Sequence, residues 1–431
     1  MNRLQRSVSI SKNFRERDVV AFIDIGNWGR RPSRNKQREP TQAGSLEVLT
    51  RPQLNNYPVW TKGFAARRKD HRFYELVEET IGGNFDFRYF GIRDSGGRLI
   101  AIQPFFIHDQ DILAGMPPMW QYCAEHIRRF WPGFLKLRTL MAGCAVGEGC
   151  LTSEDPRRHV AIAEVFSSSL TETASRLGAS LVVLKEFPAR YRRALSSLQR
   201  HGFARIPSFP NVRLRLEYAD FDDFCRRRLS GSVRAKLKRK IRDAAAHPPP
   251  IVMQPVTDIA PYIDEVYPLY LQVYQKSAFK FELLTPDFIL GLADRMPDKV
   301  RFFIWRQQGK AIGFAICMIE ADALYGEYMG LDYSVAEKVH TYFIIMRDLM
   351  DWAIHAGFRY FCSTGLNYEP KYHFRFDLEP LDLYVTHTSA ITNWFLRRLI
   401  YLIEPTHHDP ILRRFENYED LWTDAARGRP H

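Results

Sequence analysis

Residues 323–377 constrain the fold more than any other stretch, because strand-like and helical runs follow one another there in a fixed order. A strand-like run at 324–330 is followed by a helical run over 341–357, a second strand-like run at 358–365, and a polar loop at 370–376. A helix that begins just beyond the carboxyl end of a strand presents free backbone N–H groups and the positive end of its dipole. The order therefore predicts a site for an anionic part of a substrate.

The same order of elements occurs twice in the chain. A hairpin of strands at 85–92 and 98–107, a helix at 157–177 and a buried strand at 180–184 precede a second hairpin and the run described above. The repetition predicts a mixed α/β fold made of two tandem units. The predicted divisions are a disordered basic leader at 1–45, an N-terminal domain at 46–216, a basic helical connector at 217–250, a C-terminal domain at 251–390, and a C-terminal helix and tail at 391–431.

Composition excludes several classes of protein. The chain has 431 residues, of which 45% are apolar, so it is long and apolar enough for two or three folded cores. Its six cysteines show no C-x-x-C pairs, which predicts neither a metal site nor a disulfide framework and favours a cytoplasmic location. We find no signal-like segment and no run of about 18 apolar residues, so neither export nor a membrane span is predicted.

The net charge of +12 is concentrated in two segments. Residues 1–45 carry a net charge of +6, and residues 226–242 contain nine Lys or Arg residues and no acid. The rest of the chain is slightly acidic, and no helix-turn-helix, RNA-recognition or zinc-finger signature accompanies the charge. A protein that binds DNA is therefore disfavoured.

The basic segment has the pattern of an amphipathic helix. Apolar residues recur at i, i+4 and i+8 (Val233, Leu237 and Ile241), and Ser230 or Ser232 is the expected N-cap. Three basic residues, Arg234, Lys238 and Arg242, share another side of the same helix. Two interpretations stay open: a binding surface for an anionic donor or acceptor, or a solvated helix between domains.

Candidate catalytic residues lie on and after the strand at 324–330. Glu327, Tyr328 and Asp332 alternate with apolar neighbours, and Glu327 is the best candidate for a general base that takes the proton of an attacking amine. Asp332 is a candidate for binding the substrate or donor. His340 either orients substrate or caps a helix. Lys371 either meets a phosphate or carboxylate or is an ordinary surface lysine. For the three strand residues the alternative is a solvated strand face.

These motifs together resemble a known family. The matching residues are Leu-Tyr-Gly-x-Tyr-x-Gly at 324–330, His340 at the start of the next helix, Gly357 at its end and Pro-Lys-Tyr-x-Phe-x-Phe at 370–376. Over roughly 220–388 the chain is similar to GNAT-superfamily acyltransferases of the FemAB-like and BioF2-like type, which contain two GNAT domains. The resemblance implies acyl transfer and supports substrate or donor binding by Lys371. Tyr372 and Arg375 of the same element are further candidates for this binding, although Arg375 or Asp377 stands where the family has a glycine.

The resemblance implies an N-acyltransferase that uses a thioester donor and an amine acceptor. The expected co-substrate is acyl-CoA, or an acyl carrier protein, with no tightly bound cofactor, and the acceptor is a small molecule or a cell-envelope amine. Residues 335–340 lack the glycine-rich loop that wraps coenzyme A in ordinary GNAT enzymes. An aminoacyl-tRNA donor of the FemAB type therefore stays open, as does a non-catalytic GNAT-like binding protein.

An apolar stripe at 394–403 contains two arginines. Its composition fits contact with a membrane surface, but a helix packed on the domain is the favoured interpretation.

Overall fold

The structure is a computed structural model that describes residues 44–111, 118–134, 136–153, 155–277, 280–402, 404–407 and 409–423. These residues all lie in one compact unit. The predicted leader at 1–45 lies outside the described residues except for its last two positions.

Within the described ranges the chain forms two sheets of seven strands, surrounded by helices. The strands are β1 Ser45–Leu49, β2 Asp86–Arg93, β3 Leu99–Asp111, β4 Lys136–Ala142, β5 Leu181–Pro188, β6 Ala204–Pro207, β7 Asn211–Arg215, β8 Val252–Val256, β9 Val300–Gln307, β10 Lys310–Glu320, β11 Ala323–Leu331, β12 Tyr360–Ser363, β13 Asp377–Glu379 and β14 Leu381–His387. The helices are α1 Arg51–Leu54, α2 Pro58–Lys62, α3 His71–Ile81, α4 Pro118–Arg128, α5 His159–Arg176, α6 Arg192–Arg200, α7 Phe221–Arg228, α8 Gly231–Ala245, α9 Ile263–Lys276, α10 Pro286–Arg295, α11 Tyr333–Ala336, α12 Thr341–His355, α13 Tyr368–His373 and α14 Ala390–Leu399.

The two sheets have the same internal order. The first runs β1-β2-β3-β4-β5-β14-β6 and the second runs β8-β9-β10-β11-β12-β7-β13. In each sheet the fourth and fifth strands are parallel, β4 with β5 and β11 with β12, and the other pairs are antiparallel. This agreement of order and direction confirms the mixed α/β fold of two matching units.

The sixth position of each sheet is exchanged between the two units. It is filled by β14 in the first sheet and by β7 in the second, so each sheet takes one strand from residues predicted for the other domain. Antiparallel strands can pair across any sequence distance, and short strands such as β7 carry little information about their partner. The predicted domain boundaries themselves stay a prediction, but the exchange ties the two units into one body.

Side chains from both units share a hydrophobic core. Phe73 on α3 meets Phe288 on α10 edge to face, with ring centroids 5.6 Å apart, and both rings are buried. A fully buried Phe contributes about 1.5–3 kcal/mol through removal of its surface from water. Such contacts hold α3 in place, and α3 in turn fixes the residues that precede it.

The predicted helix at 341–357 is confirmed as α12. Its buried side chains include Ile344, Ile345 and Leu349, whose spacing places them on one face against the second sheet. It follows β11 along the chain, after the short helix α11, as the order of elements predicts.

The predicted polar loop at 370–376 is wrong in part, because Tyr368–His373 forms the short helix α13. Pro370 suggested a loop, but it occupies the first turn of the helix, where its missing N–H has no helical partner in any case. The turn before α13 is tight, since Leu366 and Asn367 have left-handed φ angles of 69° and 48°.

None of the helices in the described part of the chain is long and apolar enough to cross a membrane.

Candidate active site

The candidate site lies where the parallel strands of the second sheet separate. β11 and β12 are paired through Gly326 and Ser363, and beyond these residues β11 continues while the chain after β12 turns away. Glu327 is the first residue past the last pair. Ligands of open α/β sheets bind beyond the carboxyl ends of parallel strands, where such a gap opens.

An ionic network surrounds Glu327 and joins the two units. Arg68 Nε donates to Glu327 Oε1 at 2.6 Å, and Lys69 Nζ lies 3.0 Å from Glu327 Oε2. Both cations also pair with Glu148, which follows β4 in the first unit, and Arg68 lies 3.6 Å from Glu320 at the end of β10. Side chains from 67–69 therefore bind carboxylates of both halves of the molecule.

The electrostatics of the network favour its ionised form. Burial alone would raise the pKa of Glu148, but the charges of Arg68 and Lys69 outweigh it and hold that pKa well below its usual range. The pKa of Glu320 is lowered as well, because the charges of Arg68, Arg67 and Arg190 and the hydrogen bond from the Arg68 N–H together outweigh the effect of burial. Lys69 reaches this position only beside a glycine, since a Cβ on Gly147 would stand 2.0 Å from Lys69 Nζ.

Glu327 is the predicted general base, but its burial and its two cation partners do not favour that role. Its side chain is only 2% exposed, and both carboxylate oxygens already meet a cation. A general base must accept a proton from the substrate with a free oxygen. The geometry therefore favours a role for Glu327 in holding the two units together, while its role as a base stays a prediction.

Next to Glu327, Tyr328 forms a second polar group with Glu282. The Tyr328 hydroxyl donates to Glu282 Oε1 at 3.0 Å. Burial raises the pKa of Glu282 above its usual value, although the charge of Lys185 and the hydrogen bond from Tyr328 oppose the rise. A carboxylate whose pKa is raised towards neutrality is suited to general base catalysis. Glu282 is thus a stronger candidate for the base than Glu327.

Lys185 connects this group to the first unit. Its Nζ lies 2.6 Å from Glu186 Oε2 and donates to the carbonyl of Gly147 at 3.0 Å. Glu186 has a left-handed φ of 57°, a conformation that costs about 1–3 kcal/mol and that often marks functional sites. The cluster of Tyr328, Glu282, Lys185 and Glu186 therefore extends from β11 of the second sheet to β5, which belongs to the parallel pair of the first sheet.

Lys371 is buried beside the same gap. Its Nζ donates to the carbonyls of Thr364 at 2.5 Å and Leu366 at 2.7 Å, in the turn that leaves β12. Burial lowers its pKa to about 7. Thr364 is also bonded to β11, since its N–H donates to the carbonyl of Gly326. Lys371 therefore stabilises the turn that separates the strands, and its predicted contact with an anionic substrate group stays a prediction.

We expect Lys371 to make stability depend on pH. In the folded state it loses its proton near pH 7, whereas in the unfolded state it keeps the proton until about pH 10.5. The folded state then binds fewer protons, so the free energy of unfolding gains a contribution that rises between pH 7 and 10.5. In Lys371→Met this rise should disappear, which urea unfolding at several pH values will measure. Lys338→Met, at an exposed position, should keep the pH dependence of the wild type.

A cavity of about 310 Å³ lies beside the same turn, between α8, α12 and α13. α8 lines it with Val233, Lys236, Leu237 and Lys240, while Phe343 and the start of α13 form other walls. Lys240 Nζ lies 3.3 Å from the centre of the Phe343 ring. The cavity thus combines apolar walls with two lysines, the acid Glu369 and His373, and its volume is at the lower end of the range for small-ligand sites.

The predicted basic helix is confirmed as α8, with Ser230 at its N-cap. The predicted side of the helix is not the one that faces the cavity. Lys238 and Arg242 are exposed to solvent, and Arg234 Nη1 donates to the carbonyl of Arg226 at 3.3 Å. The three residues chosen from the sequence lie outside the cavity lining, and their part in donor binding stays a prediction.

Asp332 and His340 occupy the ends of short connections. Asp332 caps α11 by accepting from the Ser334 N–H and binds Lys310 Nζ at 2.7 Å. His340 is the N-cap residue of α12 without a side-chain capping bond, and its Nε2 lies 3.7 Å from Asp243 Oδ2 on α8. Asp332 is thus engaged as a cap, and His340 joins the start of α12 to the basic helix.

Tyr372 and Arg375 face the C-terminal segment. Tyr372 packs against Phe415, with ring centroids 5.5 Å apart, and Arg375 Nη1 lies 3.9 Å from Glu416 Oε1. The structure therefore brings Glu327, Tyr328 and Lys371 to the strand gap and places His340 near the cavity, while Tyr372 and Arg375 meet a different segment.

Sequence reasoning missed Arg68, Lys69 and Glu282. The first two belong to the basic run Arg67-Arg68-Lys69 just before α3, and such a run is ordinary on a protein surface. Arg68 and Glu327 are 259 positions apart, so no local pattern indicates that they meet. Glu282 lies between α9 and α10, where no spacing marks it.

The FemAB-like family, described as peptidoglycan biosynthesis/recognition, matches residues 143–376. Three solved structures are distantly similar in fold: FemX (9% identity, 83% of this chain and 99% of that chain covered, TM-score 0.47), L-PGS from Bacillus licheniformis (13%, 76% and 95%, 0.44), and a tandem GNAT protein from the clavulanic acid biosynthesis pathway (10%, 80% and 99%, 0.42). A search of curated proteins gives no match.

The two matching α/β sheets agree with the tandem GNAT fold, and family and fold together support an acyltransferase. The family match covers more than half of the chain, which therefore belongs to the FemAB-like family. The predicted family, fold and enzyme class are confirmed, and the activity is that of an acyl or aminoacyl transferase.

Proposed function

We propose that this chain transfers an acyl group from acyl-CoA to an amine of a peptidoglycan-related molecule. The family description supports the acceptor. The observation that carries the donor is the cavity between α8, α12 and α13, which is lined by Lys236, Lys240 and His373, by one acid, Glu369, and by apolar side chains. Lys236 and Lys240 suit phosphate groups, and Val233, Leu237 and Phe343 suit the acyl chain and the linker that carries it.

The amine would be activated at the gap itself. Glu282 takes the amine proton, and Tyr328 orients the carboxylate through the hydrogen bond between them. The acyl group leaves its sulfur for the nitrogen, and the thiolate of the donor is released. An acyl carrier protein offers the same thioester arm, and a donor of either kind fits a cytoplasmic enzyme.

Aminoacyl-tRNA is the second candidate donor. It is favoured by the exposed basic residues of α7 and α8, which extend well beyond the cavity: Arg226, Arg227, Arg228, Lys238, Arg239 and Arg242. A nucleic acid offers many phosphates in a row, and each contact strengthens the dependence of affinity on salt.

Two sets of substitutions on α8 distinguish the donors. Lys236→Gln with Lys240→Gln changes the cavity, whereas Arg234→Gln, Lys238→Gln and Arg242→Gln together change the outer face. For an acyl-CoA donor we expect the cavity pair to weaken binding about tenfold or more, because each charged hydrogen bond to a phosphate contributes about 1.5–3 kcal/mol. The outer triple should bind acyl-CoA like the wild type.

Thermal shifts and calorimetry with acetyl-CoA, long-chain acyl-CoA, acyl carrier protein and aminoacyl-tRNA give the measurement, since a ligand of the folded state raises the midpoint. If aminoacyl-tRNA alone binds, and the outer triple weakens it and flattens its salt dependence, the acyl-CoA proposal is wrong. Binding of a donor without transfer to any amine would favour a non-catalytic binding protein.

A further inference from the structure

Exposed apolar side chains are concentrated in two segments of the described chain. Phe130 is 93% exposed and Ile391 is 76% exposed, values that are unusual for residues of this kind. The first segment is α4 with the turn after it, and the second is α14 with the turn after it. The exposed residues are Met119, Tyr122, Ile127, Phe130, Trp131, Ile391, Trp394, Phe395 and Tyr401.

The register of the first sheet brings both segments to one end of it. α4 lies in the connection from β3 to β4, whose terminal residues Asp111 and Lys136 are paired. At the same end Leu181, the first residue of β5, pairs with Thr139 of β4 and with His387, the last residue of β14. α14 begins three residues after His387. The two apolar segments therefore leave the same end of the sheet, α4 after β3 and α14 after β14, with β4 and β5 between these strands.

α14 is attached to the molecule by one face only. Asn393 donates to the carbonyl of Gly202 at 2.9 Å, and Leu396 packs against the first core. Ile391, Trp394 and Phe395 follow one another at i, i+3 and i+4 on the outer face. The favoured prediction of a packed helix and the alternative of a membrane-facing stripe are thus compatible, since the helix has an inner and an outer face.

Basic residues surround these apolar side chains. The exposed basic residues at this end of the sheet are Arg129, Lys136, Arg138, Arg176, Arg200, Arg397 and Arg398, against the exposed acids Asp109, Glu125 and Glu172, so the margin is basic on balance. The Arg398 guanidinium lies 4.1 Å from the centre of the Trp394 ring, which keeps the indole on the outside of the helix. Apolar and aromatic side chains within a basic margin are the composition of surfaces that enter the headgroup region of anionic bilayers.

The geometry points to this end of the first sheet, formed by α4 and α14, as a docking surface for an anionic phospholipid bilayer. The charge decides between this occupant and a second copy of the chain. Two copies facing each other would bring their basic margins together and repel, whereas anionic headgroups neutralise the margin. The inference does not depend on the proposed donor or acceptor, because it uses neither the strand gap nor the cavity.

Vesicle binding tests the surface directly. The full chain should sediment with vesicles that contain phosphatidylglycerol, much less with pure phosphatidylcholine, and less as salt is added. Replacing the four aromatic residues by serine (Phe130→Ser, Trp131→Ser, Trp394→Ser, Phe395→Ser) should lower the partition coefficient about tenfold or more, since each ring that enters the bilayer removes a large apolar area from water. Circular dichroism and the melting temperature show whether the variant is folded.

A matched control keeps the interpretation specific. Val160→Ser with Leu283→Ser removes exposed apolar side chains from outside the two segments and should leave binding unchanged. Equal binding of the aromatic variant and the wild type overturns the proposal, as does equal binding to both kinds of vesicle. Sedimentation velocity without lipid tests whether a second copy of the chain covers the surface instead. If the wild type is a dimer and the aromatic variant is a monomer, the surface is a dimer interface and the proposal is wrong.

Discussion

Glu327→Gln is expected to lower the free energy of unfolding by about 3–5 kcal/mol, because it removes one partner from a buried ionic network. Arg68 and Lys69 would keep their charges in an environment with almost no access to water, and Glu148 and Glu320 would be the remaining carboxylates beside them. The loss should appear in urea unfolding as a lower midpoint with an unchanged slope.

An exposed pair gives the control for this substitution. Glu79 binds Arg295 on the surface, where the two side chains are 44% and 37% exposed. Glu79→Gln should change stability by less than about 1 kcal/mol, since exposed pairs contribute little. Equal losses in the two variants would show that the network is not a tie between the units. A folded Glu327→Gln enzyme whose turnover falls by about 10²–10⁴ with unchanged stability would instead support the predicted role as a base.

Local patterns predicted the elements that build the site. The strand at 324–330, the helix at 341–357 and the strand at 358–365 correspond to β11, α12 and β12, since each shows its own periodicity or composition within a few residues. The point at which β11 and β12 separate, after Gly326 and Ser363, cannot be predicted from such local patterns. It depends on a turn of left-handed residues that Lys371 holds from inside.

Long-range pairing explains what the sequence could not show. The exchange of β7 and β14 depends on which sheet edge is free after the rest has folded, and their five and seven residues fit either sheet. The partners of Arg68 come from three separate segments, so a basic run gives no sign that it will be buried. On α8 the apolar spacing predicted the helix correctly, but which basic side chains would face α13 followed from packing alone.

Glu282→Gln is expected to reduce kcat/KM by about 10²–10⁴ while stability stays close to that of the wild type, because the amide keeps the shape and cannot take a proton. The wild-type enzyme should lose activity as the pH falls through the raised pKa of Glu282, since the base acts in its ionised form. This acid limb of the pH profile should be absent from the residual activity of Glu282→Gln. In Tyr328→Phe the acid limb should move to higher pH, because the hydrogen bond from Tyr328 lowers the pKa of Glu282. Rates of acyl transfer measured over a series of pH values compare the wild type with both variants. A Glu282→Gln enzyme that keeps both its turnover and its acid limb would return the base to Glu327.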